Sequence, residues 1–287
     1  MSAPFRTDLG PFRTVVHPTD FREHSDPALV HAIAIARHAR GRLVAVHVNE
    51  GDIAPDWELF PHVRSRLALW GDVPPDANPA QLAAKGMHLA DMRVPKGEVA
   101  EVVRTVVKQE NGELLVLAAH ARSGWIQLRR HTVAAPTVHR SGIPALIHRD
   151  GTTSFVEPIT GKVTLHRVLV PVDDDPSPNL SLSALFRLFD SLGVLTSAVR
   201  LFHVGPLGSM PAVWPEPARK GIRIEDAYGD GLPSAAIADY AARWDADLIV
   251  MSTTGRRGLL DALSGSTVEK VVAAAPCPVL AVPQPRP

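Results

Sequence analysis

The sequence has few features of secreted, membrane-bound or nucleic-acid-binding proteins. Its single cysteine, Cys277, excludes a disulfide within the chain and is typical of a reducing compartment. Lysine plus arginine and aspartate plus glutamate number 30 each, so no net charge favours nucleic acid or an anionic membrane. No apolar run approaches the roughly 20 residues of a membrane helix, and the first residues lack the apolar core of a signal peptide. We therefore expect a cytoplasmic protein without nucleic-acid or membrane partners.

Apolar segments alternate along the chain with segments of helical period, and the length of 287 residues suits two domains. In the first half, strands are expected at residues 14–20, 43–48, 87–94, 113–119 and 145–147, and helices at 26–40, 56–70 and 98–109. This alternation predicts a parallel sheet with helices on both faces. Near-continuous apolar strands fit such a sheet, because its strands are buried on both sides.

The same pattern then occurs a second time. Corresponding segments are 18–20 and 171–173, 45–48 and 201–204, 85–86 and 220–221, 114–116 and 248–250, and 143–146 and 277–280. Their common order indicates a tandem duplication, with one domain at residues 1–150, a linker at 151–163 and a second domain at 164–287. The first copy has about 21 more residues between its second and third strands (156 − 135). We expect a crossover helix there in the first copy and mostly irregular loop in the second.

A glycine-bearing loop follows the fourth strand of the second copy. Gly255 lies in the turn after the strand, and Gly265-Ser266-Thr267 begins the next helical segment. Such a loop gathers backbone N–H groups and the positive end of a helix dipole, which suits phosphate. The glycines allow close backbone approach, Ser266 and Thr267 offer hydroxyls, and Arg256 can meet a polyphosphate. The alternative is a tight turn whose glycines serve packing.

These segments resemble the universal stress protein family over both halves of the chain. The family's nucleotide signature is G-x2-G-x9-G-S/T after the fourth strand. Gly255, Gly265 and Ser266 match its last three elements, while Ser252 replaces the first glycine. The Pro-x-Asp after the first strand, the His-Val in the second and the closing Pro-Cys-Pro-Val-Leu are also similar to the family.

The resemblance implies two tandem Rossmann-like (HUP-type) α/β domains, each with five parallel strands in the order 3-2-1-4-5. It also implies ATP as ligand, often with a divalent ion such as Mg²⁺. The implied cofactor-binding residues are Pro171, Val172, Asp173, Val204, Ser252, Gly255, Arg256, Gly265, Ser266 and Thr267. Family members commonly dimerise through the last strand, which implies an internal pair of the two halves and allows a homodimer.

The two copies differ in their glycine loops. In the first copy Ala118, Ala121, His131 and Thr132 stand where the second has Ser252, Gly255, Gly265 and Ser266. We therefore expect nucleotide binding mainly in the C-terminal half, with the first copy either structural or specific for another ligand. The second copy also departs from the family. Ser252 adds a side chain, and Asp174 and Asp175 add carboxylates that oppose a polyphosphate unless they form a solvated turn and helix cap.

Three functions stay open at this stage. The favoured one is an adenine-nucleotide-binding protein in stress response or signalling. A slow ATPase or nucleotide-transfer enzyme could use the same pocket with Asp173 and Mg²⁺, although no residue stands out as a general base. The third is a non-binding interaction protein. We expect no catalytic residue and no dedicated metal ligand.

A further pattern concerns His24, His31 and His38, which recur every seven residues. Neighbours in this stripe would stand ~10.5 Å apart on a helix. That separation is too large for one metal ion, whose histidine nitrogens lie ~2 Å away. We expect these histidines on a polar helix face.

Overall fold

The computed structural model describes residues 9–20, 25–48, 62–89, 96–119, 138, 140–213, 219–253 and 267–284, and the structural statements below concern these residues. The strands are β1 (Thr14–Pro18), β2 (Arg42–Val46), β3 (His88–Leu89), β4 (Leu114–Ala119), β5 (Ala145–Arg149), β6 (Arg167–Pro171), β7 (Ser197–Val204), β8 (Ile222–Gly229), β9 (Leu248–Thr253) and β10 (Val279–Pro283). The helices are α1 (Asp26–His38), α2 (Val63–Leu69), α3 (Pro79–Ala84), α4 (Val99–Gln109), α5 (Pro178–Leu192), α6 (Pro233–Arg243) and α7 (Thr267–Ala274).

All these strands lie in one sheet, in the order β3-β2-β1-β4-β5-β10-β9-β6-β7-β8. Each repeat therefore has the order 3-2-1-4-5, which confirms the predicted fold class. Neighbouring strands are parallel within each repeat. The last strands, β5 and β10, pair antiparallel, with Ala145 opposite Ala281 and Ile147 opposite Val279. This pairing joins the sheets of the two repeats.

Helices cover both faces of the sheet. One apolar core lies under α1 and α5 and the other under α4, α6 and α7. Consecutive residues of a strand enter different cores, as Val15 and Val16 do on β1. Both side chains are fully buried, which explains why the strands have continuous apolar sequences. Among the helices of the described chain, none combines the length and apolar character that crossing a membrane requires.

The extra segment of the first copy contains α2 and α3 in its described part, whereas residues 205–213 of the second copy form no helix. Helix α2 confirms the predicted helix from residue 63 onward. Residues 56–61, the first part of that prediction, lie outside the described residues. Helix α3 was not predicted, since the prolines around it suggest a break. In fact Asn78 caps this helix, and the proline that follows occupies the first turn, where its missing N–H costs nothing.

The predicted linker between the repeats forms part of the core. Phe155 and Val156 are fully buried beneath α1 and α5. The indole nitrogen of Trp70 donates to the carbonyl of Pro158 at 2.9 Å. Gly161 packs against the same ring with φ of +67°, where a Cβ atom would lie 2.5 Å from a ring carbon. The segment that joins the repeats thus has specific partners on the first repeat.

Candidate functional site

The candidate site lies where the strand order of the second repeat reverses. Strand β6 stands between β7 and β9, and the chain leaves β6 toward β7 but returns on its other side as β9. Ligands of open parallel sheets settle at such a point, beyond the carboxyl ends of the strands. Asp173 follows β6 here, Val204 ends β7, and Ser252 lies near the end of β9. The predicted residues Gly255, Arg256, Gly265 and Ser266 lie outside the described residues.

The backbone of Val172, the residue that follows β6, is held by two hydrogen bonds at this edge of the site. Val172 is buried, and its N–H donates to the carbonyl of Phe202 at 2.9 Å. Its own carbonyl accepts from the imidazole Nδ1 of His203 at 3.1 Å. His47 makes the equivalent bond to Thr19 in the first repeat, at 3.0 Å. These histidines fix the backbone at the strand ends of both repeats.

The acidic turn that follows is solvated. Asp173, Asp174 and Asp175 are all exposed. The Asp173 carboxylate accepts the N–H of Asp174 at 2.8 Å. Water can screen the charges of this turn, so they oppose an anion in the site less than buried carboxylates would. The arrangement favours the solvated turn that the sequence offered as one alternative.

Ser252 uses its side chain to hold a helix. The residue is 7% exposed, and its hydroxyl donates to the backbone carbonyl of Ser177 at 3.1 Å. The hydroxyl of Ser181 lies 2.6 Å from the hydroxyl oxygen of Ser252 and can donate to it. Ser177 is the N-cap of α5 and accepts the N–H of Asn179. The hydroxyl of Ser252 is therefore engaged with the first turn of α5.

The corresponding place in the first repeat has a different chemistry. Ala118 occupies the position of Ser252, and His17 that of Val170. His17 is fully buried and donates from Nδ1 to the carbonyl of Val116 at 2.8 Å. Burial lowers the pKa of His17 to about 4, so its imidazole is neutral near pH 7. Ala121, His131 and Thr132 lie outside the described residues.

The expectation of a polar histidine face on α1 is wrong for His31. This side chain is fully buried, and its ring packs edge-on against Phe155 with centroids 4.2 Å apart. A second buried imidazole, that of His148, lies 5.2 Å away. The sequence could not reveal this, because the covering residue comes from the segment between the repeats. Within the described ranges, no three histidine, cysteine or acidic side chains are arranged to hold a metal ion.

Comparison with known proteins places this geometry in a family. The model of the universal stress protein family matches residues 11–149 and 215–283, which are more than half of the chain. The chain belongs to the universal stress protein family. Universal stress protein MJ0531 of Methanocaldococcus jannaschii is 44% identical over 66 residues, 23% of this chain and 39% of that protein. Universal stress protein YxiE of Bacillus subtilis is 37% identical over 65 residues, 23% of this chain and 44% of that protein. The chain thus matches less than half the length of these curated relatives.

Solved universal stress protein structures resemble the whole chain. One from Archaeoglobus fulgidus has a TM-score of 0.64 and 18% identity, covering 96% of this chain and 98% of its own. A putative universal stress protein from Pseudomonas aeruginosa has a TM-score of 0.57 and 16% identity, covering 95% and 93%. At these identities the likeness concerns the fold, and it extends across both repeats.

Proposed function

We propose that the C-terminal repeat binds an adenine nucleotide, ATP, and that the protein acts in the cytoplasm in stress response or signalling. The observation that carries the proposal is the position of the glycine loop. Gly255, Gly265 and Ser266 follow β9 in the sequence, and β9 lies beside β6 at the reversal of strand order. Family membership supports the same ligand, because this spacing is the nucleotide signature.

The described residues suit the parts of a nucleotide in order. Val204, half-buried at the end of β7, offers apolar contact to the base beside Val172, which follows the adjacent strand β6. The exposed carboxylate of Asp173 can accept hydrogen bonds from ribose hydroxyls or share a Mg²⁺ ion with the phosphates. Thr267, at the start of α7, lies where N–H groups and the helix dipole favour the phosphates.

The serine that replaces the first signature glycine is compatible with this arrangement. Its hydroxyl is bonded to Ser177 and Ser181 on α5. The substitution therefore adds a tie between β9 and α5, and it keeps the side chain of Ser252 from competing with a phosphate for the loop.

We further propose that the two repeats act as an internal pair. The domains at residues 1–150 and 164–287 would meet through β5 and β10, which form the described antiparallel contact. Light scattering tests whether one chain is the working unit or whether a homodimer forms in addition.

A binding experiment tests the nucleotide proposal. One sample of purified protein is heated to release bound nucleotide, which is identified by absorbance and chromatography. A second, unheated sample is titrated with ATP by calorimetry, with and without Mg²⁺. Gly265→Trp should abolish binding by filling the loop. His131→Trp, which places the same side chain at the equivalent position of the first repeat, should leave binding intact.

The proposal fails if the wild-type protein neither retains nor binds an adenine nucleotide. It also fails if Gly265→Trp binds ATP as well as the wild type does. If the wild type releases phosphate from ATP faster than a protein-free control, and Asp173→Asn abolishes this release, the protein is an ATPase instead of a binding protein.

A further inference from the structure

The chain that follows α7 is held by Arg149 of the other repeat and by Thr153 of the segment that joins the repeats. The guanidinium Nη2 of Arg149 donates to the carbonyl of Ala275 at 2.9 Å. Thr153 donates to the carbonyl of Pro276 twice, from its backbone N–H at 2.9 Å and from its hydroxyl at 3.2 Å. Ala275 is the first residue after α7, and carbonyls at a helix C-terminus lack partners within the helix, so the bond from Arg149 satisfies a group at this end. The two bonds from Thr153 hold the next residue of the chain.

Among the described residues, the corresponding end in the first repeat is capped from within that repeat. The repeats align with a shift of 134 (277 − 143), which places Ala275 opposite Ser141 and Arg149 opposite Pro283. In the first repeat, Ser141 caps its own helix end by donating from its hydroxyl to the carbonyl of Val138 at 2.8 Å. Alanine has no such donor, and Pro283 cannot reach back as Arg149 does. The C-terminal repeat therefore depends on its neighbour for this cap.

Apolar packing reinforces the same contact. Helix α7 buries Val268, Val271 and Val272. These side chains share a core with Ile147 of β5, which precedes the capping arginine by two residues. The helix is thus seated partly on the N-terminal repeat through both its buried face and its C-terminal end.

We propose that Arg149 is a positioning residue for the nucleotide site of the C-terminal repeat. This inference rests on the proposed function, because Gly265 and Ser266 immediately precede α7. The described helical residues Thr267–Ala274 span roughly 12 Å. A bond that restrains their C-terminal end therefore also restrains the position of Thr267. The positive guanidinium also complements the negative end of the helix dipole. The N-terminal repeat, which lacks the signature glycines, thus contributes to nucleotide binding by holding α7 in place.

ATP binding and the contact between Arg149 and Ala275 must then be coupled in both directions. If the contact at Ala275 favours ATP, bound ATP strengthens the contact by the same factor. Nucleotide-bound protein should therefore show slower amide hydrogen exchange at residues 149–153 as well as in α7. A helix that is positioned by its own repeat alone would not transmit this change.

The experiment uses the full chain with three variants. Arg149→Met keeps the aliphatic stem and removes the donors and the charge, whereas Arg149→Lys keeps the charge. Arg104→Met is the matched control, because Arg104 pairs with Glu101 inside the N-terminal repeat. ATP affinity is measured by calorimetry. Amide exchange of α7, with α4 as reference, is measured in nucleotide-free protein.

We expect Arg149→Met to bind ATP roughly three- to tenfold more weakly, in the range of a helix-end charge effect. Exchange in α7 should be faster while α4 is unchanged, and Arg149→Lys should recover part of both effects. Binding within twofold of the Arg104→Met control overturns the inference, as does equal loss of protection in α4 and α7. In both cases the wild type still binds ATP, so the proposed function survives. A wild type without ATP binding overturns both.

Discussion

Mild acid should destabilise the fold through three buried histidines of the N-terminal half. Burial lowers the pKa of His17 to about 4, of His31 to about 3 and of His148 to about 4. In the unfolded chain each has its ordinary pKa of ~6.5. Between about pH 6.5 and pH 4 the unfolded chain therefore binds protons that the folded chain does not. The contribution to stability is complete above this window and is lost as the pH falls through it.

The size of the effect follows from proton linkage. Lowering the pH from 7.5 to 5.5 favours the unfolded chain by about 1.3 kcal/mol for each such histidine, or about 4 kcal/mol for the three. That is a large part of the roughly 5–15 kcal/mol by which domains are stable. Neighbouring charges modify these pKa values. Asp20 and Asp26 raise the pKa of His17. Asp150 raises the pKa of His148, whereas the charge of Arg149 lowers it.

Urea denaturation followed by circular dichroism, at pH 7.5 and 5.5 and constant ionic strength, measures this difference. His17→Val introduces the residue that the second repeat has at this position, Val170. It should reduce the pH dependence by about one third. A wild-type protein equally stable at both pH values would refute the reasoning, as would a His17→Val variant with the full pH dependence.

Three further outcomes test the packing. Ser252→Ala should lower the free energy of unfolding by about 1–2 kcal/mol, because Ser181 loses a buried hydrogen-bond partner; an unchanged urea midpoint would contradict this. Gly161→Ala should cost at least about 1 kcal/mol in thermal melts, since a Cβ would meet the Trp70 ring, and a melting temperature equal to wild type would show that the ring can yield. Burial raises the pKa of Cys277 to about 12, so a thiol reagent should label it in urea but not in the native protein; rapid native labelling would count against the fold.

The repeat made most of the fold predictable. Once Pro18 and Asp20 are aligned with Pro171 and Asp173, one strand–helix pattern serves twice, and its apolar strands predict a parallel sheet. The candidate site followed from the same alignment, because strand ends at the reversal point are fixed by topology. The spacing of the glycines in the loop, Gly255 and Gly265, can be read directly from the sequence.

Contacts between distant segments could not be predicted in this way. The hydroxyl of Ser252 finds its partner on Ser181, 71 residues earlier in the chain. His31 is buried because Phe155, from the segment joining the repeats, covers it. Neither contact leaves a periodic signal, since each depends on how helices and connecting segments settle on the finished sheet.

The antiparallel contact between β5 and β10 has a consequence for how the two repeats diverged. In an assembly of identical chains, every substitution appears in each subunit, and dilution separates the partners. Here the partners are covalently joined, so their pairing does not depend on protein concentration. A substitution in one repeat leaves the other unaltered, and a loop can change in one half without being lost from the whole. The fused chain thus allows a division of labour that a symmetric pair of identical subunits cannot have.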